Sequence, residues 1–257
     1  NRLRKTKSMI KNILSGIKAY SGALKIISQL GLWKYFWVPV LISLITAALI
    51  FSSAYALSDN IGGFLAQWWE WDWGKHTVSG ISSVFGGILI VVLGFILYKH
   101  IVLALSAPFM SPVSEKIEAH LLGNPIHNHR DTNFMEQLWR GIRINLRNLS
   151  MEILLTIPII LIGLIPVIGL LSTILLFLVQ GYYAGFGNMD YTLERHFKYH
   201  ESINFVSRHK GVAIGNGIVF MLFLFIPIIG VILVLPLSVT AATVKTVELL
   251  KLEREIG

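Results

Sequence analysis

Gly31-Leu32-Trp33-Lys34 is the stretch whose residue types and spacing best suit binding chemistry. A helix start presents unpaired backbone N–H groups and a partial positive charge, glycine lets an anion approach the backbone closely, and Lys34 adds a full cation. An oxyanion can be held there. The same residues also suit a purely structural role, in which Gly31 ends one helix, Trp33 anchors at an interface and Lys34 snorkels. The other capable groups do not assemble into a site. His196 and His200 share a helix face, and His127 and His129 lie close in sequence, but neither pair has a carboxylate or cysteine spaced to complete a metal set. Both pairs read as interface or loop histidines. Cysteine is absent, so disulfides, thiolate ligands and a Cys nucleophile are excluded. Gly-x-Ser-x-Gly, His-Glu-x-x-His, P-loop and Rossmann glycine patterns are missing, and the reading is of neither an enzyme nor a cofactor binder.

The elements that must position these residues are apolar. Of the 257 residues 54% are hydrophobic and 14% charged, against roughly a quarter charged in soluble domains. This predicts an all-α integral membrane protein. Net charge is +8, and Arg2, Arg4, Lys5, Lys7, Lys11, Lys18, Lys25 and Lys34 precede the first acidic residue, Asp59. A basic head before an apolar span faces a cytoplasmic, anionic lipid surface rather than nucleic acid. Within it, Met9, Ile10, Ile13, Leu14, Ile17, Tyr20, Leu24 and Ile27 recur at helical steps, and lysines recur every seven residues on another stripe. Residues 1–34 therefore read as an interfacial amphipathic segment.

Uncharged runs set the spans, since a bilayer crossing needs about 20 apolar residues. Residues 35–58 and 77–106 read as two transmembrane helices, joined by a loop bearing Trp68, Trp69, Trp71 and Trp73 that suits the outer headgroup level. Only Lys75 is basic in that loop, which leaves every other loop, and both termini, cytoplasmic. Residues 107–152 read as cytoplasmic or interfacial helices. The runs 153–189 and 211–244 are each interrupted by nearly the same pentapeptide, Ile165-Pro166-Val167-Ile168-Gly169 and Ile226-Pro227-Ile228-Ile229-Gly230. Three of their arms, Ile153 to Leu164, Gly211 to Phe225 and Val231 to Val244, are about 18–22 Å long as helices and fall short of a ~30 Å hydrocarbon core. Two re-entrant helical hairpins are expected, with Pro-kinked ordinary spans as the alternative. Leu193-Glu194-Arg195 and Leu252-Glu253-Arg254 follow them, which suggests an internal repeat. The charge-free stretches are 35–58, 77–98, 153–189 and 211–244, the second span continuing past Lys99 and His100 toward Ser106. The absence of a carboxylate, Lys, Arg or His inside these stretches favours passive, channel-like conduction over a proton relay. Gly181, Gly185, Gly211 and Gly215 suit close helix contact and point to a homo-oligomer.

Ala107-Pro108-Phe109, followed by Glu115, Glu118-Ala119 and Gly123, resembles the Ala-Pro-Phe helix of the CysZ family of bacterial sulfate permeases, which includes the etoposide-induced membrane proteins. With Gly31-Leu32 before the first span and the two Ile-Pro-x-Ile-Gly tips, the resemblance covers nearly the whole chain. It implies two long transmembrane helices, two half-penetrating hairpins and an oligomer in the bacterial inner membrane. It further implies passage of sulfate into the cytoplasm for cysteine biosynthesis. Trp33 and Lys34 stand where such proteins tend to carry arginine. On this view Gly31, Leu32, Trp33 and Lys34 recruit the oxyanion, while Pro108, Phe109, Glu115 and Glu118 lie along its path. The alternative is a non-transporting scaffold or accessory subunit whose wedge-like hairpins shape the bilayer or bind another membrane protein.

Overall fold

The structure is a computed structural model that describes residues 2–66, 93–123, 132–163, 165, 169–226 and 229–256. The tryptophan loop, residues 77–92 of the second span, the His127 and His129 pair, and the tip residues Pro166 to Ile168 with Pro227 and Ile228 lie outside them. Among the described residues all regular structure is helical.

The basic segment forms α1 (Arg2–Lys18) and, after one 3-10 turn, α2 (Ala23–Gln29). A second 3-10 turn, Leu32–Tyr35, leads into α3 (Trp37–Ala66), whose helix continues past the expected end at 58. α3 is apolar all round and exposes Trp37, Leu41, Leu49 and Phe51, as a lipid-facing helix does. The chain returns as α4 (Leu93–Leu105), antiparallel to α3, with Gly94 against Ile50. A bend of 65° then separates α4 from α5 (Ala107–Leu122). Pro108 sits in the first turn of α5, where its missing N–H costs nothing, and Gly123 closes the helix in the left-handed conformation at φ 67°.

The two interrupted runs do fold back on themselves. α6 (Phe134–Gly163) and α7 (Gly169–His196) are antiparallel: a methyl on Gly163 would lie 3.0 Å from Ser172 Cβ near the break, and Arg140 meets Asp190 near the far end. After α8 (Tyr199–Arg208), α9 (Lys210–Leu224) and α10 (Ile229–Ile256) pair likewise, with Gly230 against Phe223 and His209 against Glu253. The arms are longer than their charge-free runs. α6, α7 and α10 contain 30, 28 and 28 residues, so only α9, at 15 residues or ~22 Å, is as short as expected. The boundaries drawn at 152/153 and 189 fall inside α6 and α7, because charges such as Glu152 and Glu194 are buried in polar contacts and the helix continues through them. Among the described residues, four helices are by length and composition suited to crossing a membrane: the apolar part of α3, α6, α7 and most of α10.

α7, α9 and α1 form the tightest contacts, and glycine is the reason. A side chain at Gly185 would strike the Ala213 carbonyl, one at Gly217 the Gly181 carbonyl, and one at Gly215 the Ile13 carbonyl. Gly181, Gly185, Gly211 and Gly215 are thus used within the chain, which replaces the expectation that they face another copy. α1 keeps Lys11 and Lys18 exposed, as an interfacial helix requires, but docks its Gly16 side on α9.

Candidate functional site

Gly31 sits at φ 60°, ψ 34°, and its N–H donates to the Ser28 carbonyl at 3.2 Å. It therefore terminates α2, and the left-handed backbone turns the chain into Leu32–Tyr35. Leu32 and Phe36 are buried, while Trp33 and Lys34 are exposed. Trp33 Nε1 donates to Ser28 Oγ at 3.3 Å and its ring meets Phe36 edge-on, so the tryptophan braces the turn. Lys34 Nζ stands 5.4 Å from the centroid of the Tyr35 ring, and Lys116 of α5 stands 5.1 Å from the same centroid. A hydrogen bond donated by Lys116 is the main reason that the Tyr35 hydroxyl titrates below the ordinary phenol range, with the charges of both lysines acting in the same direction. Lys116 was not anticipated. It lies between two carboxylates that drew attention as family positions, and only the fold shows that its side of α5 faces the turn.

The α5 residues expected along a path are placed differently from one another. Pro108 is buried at the bend, Phe109 is half-buried with its ring against Phe134, and Glu115 is exposed. Glu118 is buried: Oε2 accepts from Arg195 Nη2 at 3.0 Å and Oε1 meets His196 Nε2 at 2.7 Å. Arg195 Nη1 also donates to the Ser111 and Tyr191 carbonyls and to Ser114 Oγ. Ser111 Oγ in turn bonds Glu194. The two Leu-Glu-Arg motifs converge here, because Arg254 Nη2 reaches His196 Nδ1 at 3.4 Å while Glu253 holds Arg208 and His209. His196 is thereby a hydrogen-bonding residue, and no group of metal-binding residues exists among the described residues.

A second buried cluster joins α4 to α6. Lys99 Nζ lies 2.6 Å from Glu152 Oε1, both side chains being fully buried. His100 Nε2 lies 2.9 Å from Glu152 Oε2, and its Nδ1 faces Asn145 Oδ1 at 3.4 Å. The four charge-free runs contain no ionisable group, yet the helices that extend them bring these three together inside the bundle. The signal in the sequence was Lys99-His100 inside the expected second span, with Glu152 one residue ahead of the third run.

Two apolar grooves open on the same helices. One, of about 650 Å³, lies between α3 and α4 and is lined by Ile42, Ile45, Leu49, Leu97 and Ile101 among others. A smaller one lies between α4 and α6 and is bordered by His100 and Asn145. Neither is lined by Gly31 to Lys34 or by Pro108, Phe109, Glu115 or Glu118.

Helices of spanning length, apolar outside and with buried charges paired within, define an all-helical, multi-pass membrane protein. A family model described as "Sulfate transporter CysZ/Etoposide-induced protein 2.4" matches residues 19–235, and the chain belongs to that family. Its relatives include the sulfate transporter CysZ of Vibrio cholerae serotype O1, 25% identical over 236 residues that cover 89% of this chain and 91% of that protein. The protein of the same name in strain M66-2 matches to the same extent. The comparisons thus give a transport family, in agreement with the resemblance carried by the Ala-Pro-Phe helix and the hairpin motifs.

Proposed function

We propose that this protein conducts sulfate, or a closely similar oxyanion, passively across the bacterial inner membrane to supply cysteine biosynthesis. The observation that carries the reading is the exposed cation Lys34 on the turn opened by Gly31, directly ahead of α3, in a chain of the CysZ family. In this reading Gly31, Leu32, Trp33 and Lys34 recruit the anion from the aqueous side. α5 forms a wall of the path, with Pro108 and Phe109 at its bend and Glu115 on its exposed side. Glu118 stiffens that wall through Arg195 and His196, which offset its charge against the passing anion. α3 and the run 77–106, of which α4 is the described part, are the two crossing segments, and the α6–α7 and α9–α10 hairpins penetrate from the cytoplasmic side, α9 being too short to cross alone. Backbone breaks at membrane depth need shelter from other protein, which supports assembly of several copies. Lysine, unlike arginine, offers a point charge without a bidentate fork, so the site holds its anion less tightly than an arginine dock would.

Growth tests the reading. A bacterial strain unable to take up sulfate, when expressing this chain, grows on sulfate as sole sulfur source. Absence of growth at confirmed membrane expression contradicts the proposal. If a membrane partner then co-purifies stoichiometrically, the scaffold reading replaces it.

A further inference from the structure

We propose that Lys116 is a second anion-binding residue, and that the dock takes a tetrahedral dianion between a cation of the turn before α3 and a cation of α5. This rests on the assignment of the turn Gly31–Lys34 as the recruiting site. It adds a residue outside that turn and a basis for choosing divalent over monovalent anions.

Both ammonium groups lie close to one aromatic ring, at 5.4 Å for Lys34 and 5.1 Å for Lys116, so they can be no further apart than those two distances laid end to end. An oxyanion hydrogen-bonded to both, at about 2.8 Å on each side, spans most of that gap. Their spacing is set from beneath. Leu32 and Phe36 under Lys34, and Val113 and Ile117 flanking Lys116, are buried in one apolar cluster that fixes the turn against α5. The side chains themselves are exposed and carried on flexible stems, so they can swing from the ring onto a ligand.

Charge balance adds to the argument because these two cations share one ring, although other exposed cations such as Lys11 and Lys18 also make no ion pair among the described residues. Lys99, Arg140, Arg195, Arg208 and Lys245 each have a carboxylate within ion-pair distance, whereas among the described residues neither Lys34 nor Lys116 does. Glu115 is adjacent to Lys116 in sequence, but neighbouring helix residues point apart. Two uncompensated cations on one ring repel each other, and an incoming dianion relieves that repulsion. A monovalent anion is satisfied by one lysine and gains less from the second. Tyr35 holds both cations while the dock is empty, Lys34 near its ring and Lys116 through a hydrogen bond to its hydroxyl.

The test is equilibrium binding of radiolabelled sulfate to the purified full chain in nanodiscs, with nitrate as monovalent competitor. Lys116→Gln is expected to weaken sulfate binding about fivefold to tenfold, as loss of one of two close charges implies, while changing nitrate competition little. Lys116→Arg is expected to retain sulfate binding, and Lys34→Gln to weaken it. Sulfate binding by Lys116→Gln equal to that of the unaltered protein, with Lys34→Gln impaired, overturns the role of Lys116 and leaves the turn as the site. An equal loss of nitrate and sulfate overturns the charge selectivity. If Lys116→Gln fails to fold, sulfate binding lost in Lys116→Arg that melts normally overturns the inference equally. Failure of the unaltered protein to bind sulfate removes the recruiting site itself, and this inference with it.

Discussion

Lys99 Nζ and Glu152 Oε1 lie 2.6 Å apart with both side chains wholly buried, tying α4 to α6. A buried pair of this kind is weak evidence for net stabilisation, since desolvation offsets the attraction, but losing one member strands a charge. Lys99→Met is therefore expected to lower stability by about 3–5 kcal/mol, and Lys99→Met with Glu152→Leu to recover much of that loss. His100, left beside an apolar residue in the double variant, limits the recovery. Thermal melting in a single detergent distinguishes the three proteins.

The glycine contacts between α7 and α9 give a sharper steric prediction. Gly185→Leu forces a side chain into the Ala213 backbone, and the helices must part. A loss of at least the 1–3 kcal/mol usual for overpacking is expected, read as a lower melting temperature. Gly22→Ala is the control, because nothing lies within 4 Å of the added methyl, and its effect stays within about 0.5 kcal/mol.

Arg195 combines a pairing with Glu118 and three further oxygen acceptors on one guanidinium. Lysine cannot reproduce that fork. Arg195→Lys is expected to cost about 1–3 kcal/mol, on the order of a buried acceptor left unsatisfied, and Glu118→Gln a similar amount. Melting curves of the two single variants and their combination test whether the residues act as one unit: a combined loss smaller than the sum of the two is the expected result.

What could be read in the sequence divides along physical lines. The apolar centres of the helices were visible because lipid tolerates no isolated charge, and both fold-backs fall between helix ends that flank the two pentapeptides, after Gly163 and after Leu224. Helix length was not visible, because counting uncharged residues stops at Glu152 or Asp190, whereas in the fold those groups are satisfied by Lys99 or Arg140 and α6 and α7 run on. The glycine pairs stood out, but a spacing of four says only that something approaches closely. Here that neighbour belongs to the same chain. Gly31 to Lys34 could be singled out by residue type alone, whereas Lys116 could not, since its relation to Tyr35 depends on the 65° bend between α4 and α5.

Lys34 is exposed and makes no ion pair among the described residues, so its removal should leave the fold intact. Lys34→Gln is expected to melt within about 0.5 kcal/mol of the unaltered protein, as exposed substitutions do. Its sulfate affinity is expected to fall several-fold, on the scale of one charge lost at short range. Melting and binding measured on one preparation check both halves of the statement.

The most direct test of the central claim is uptake of radiolabelled sulfate into proteoliposomes holding the purified chain, without an imposed proton gradient. The account predicts downhill sulfate entry well above that of protein-free vesicles, reduced by unlabelled sulfate and by Lys34→Gln. Uptake no greater than in protein-free vesicles, from protein that melts cooperatively after reconstitution, would contradict it.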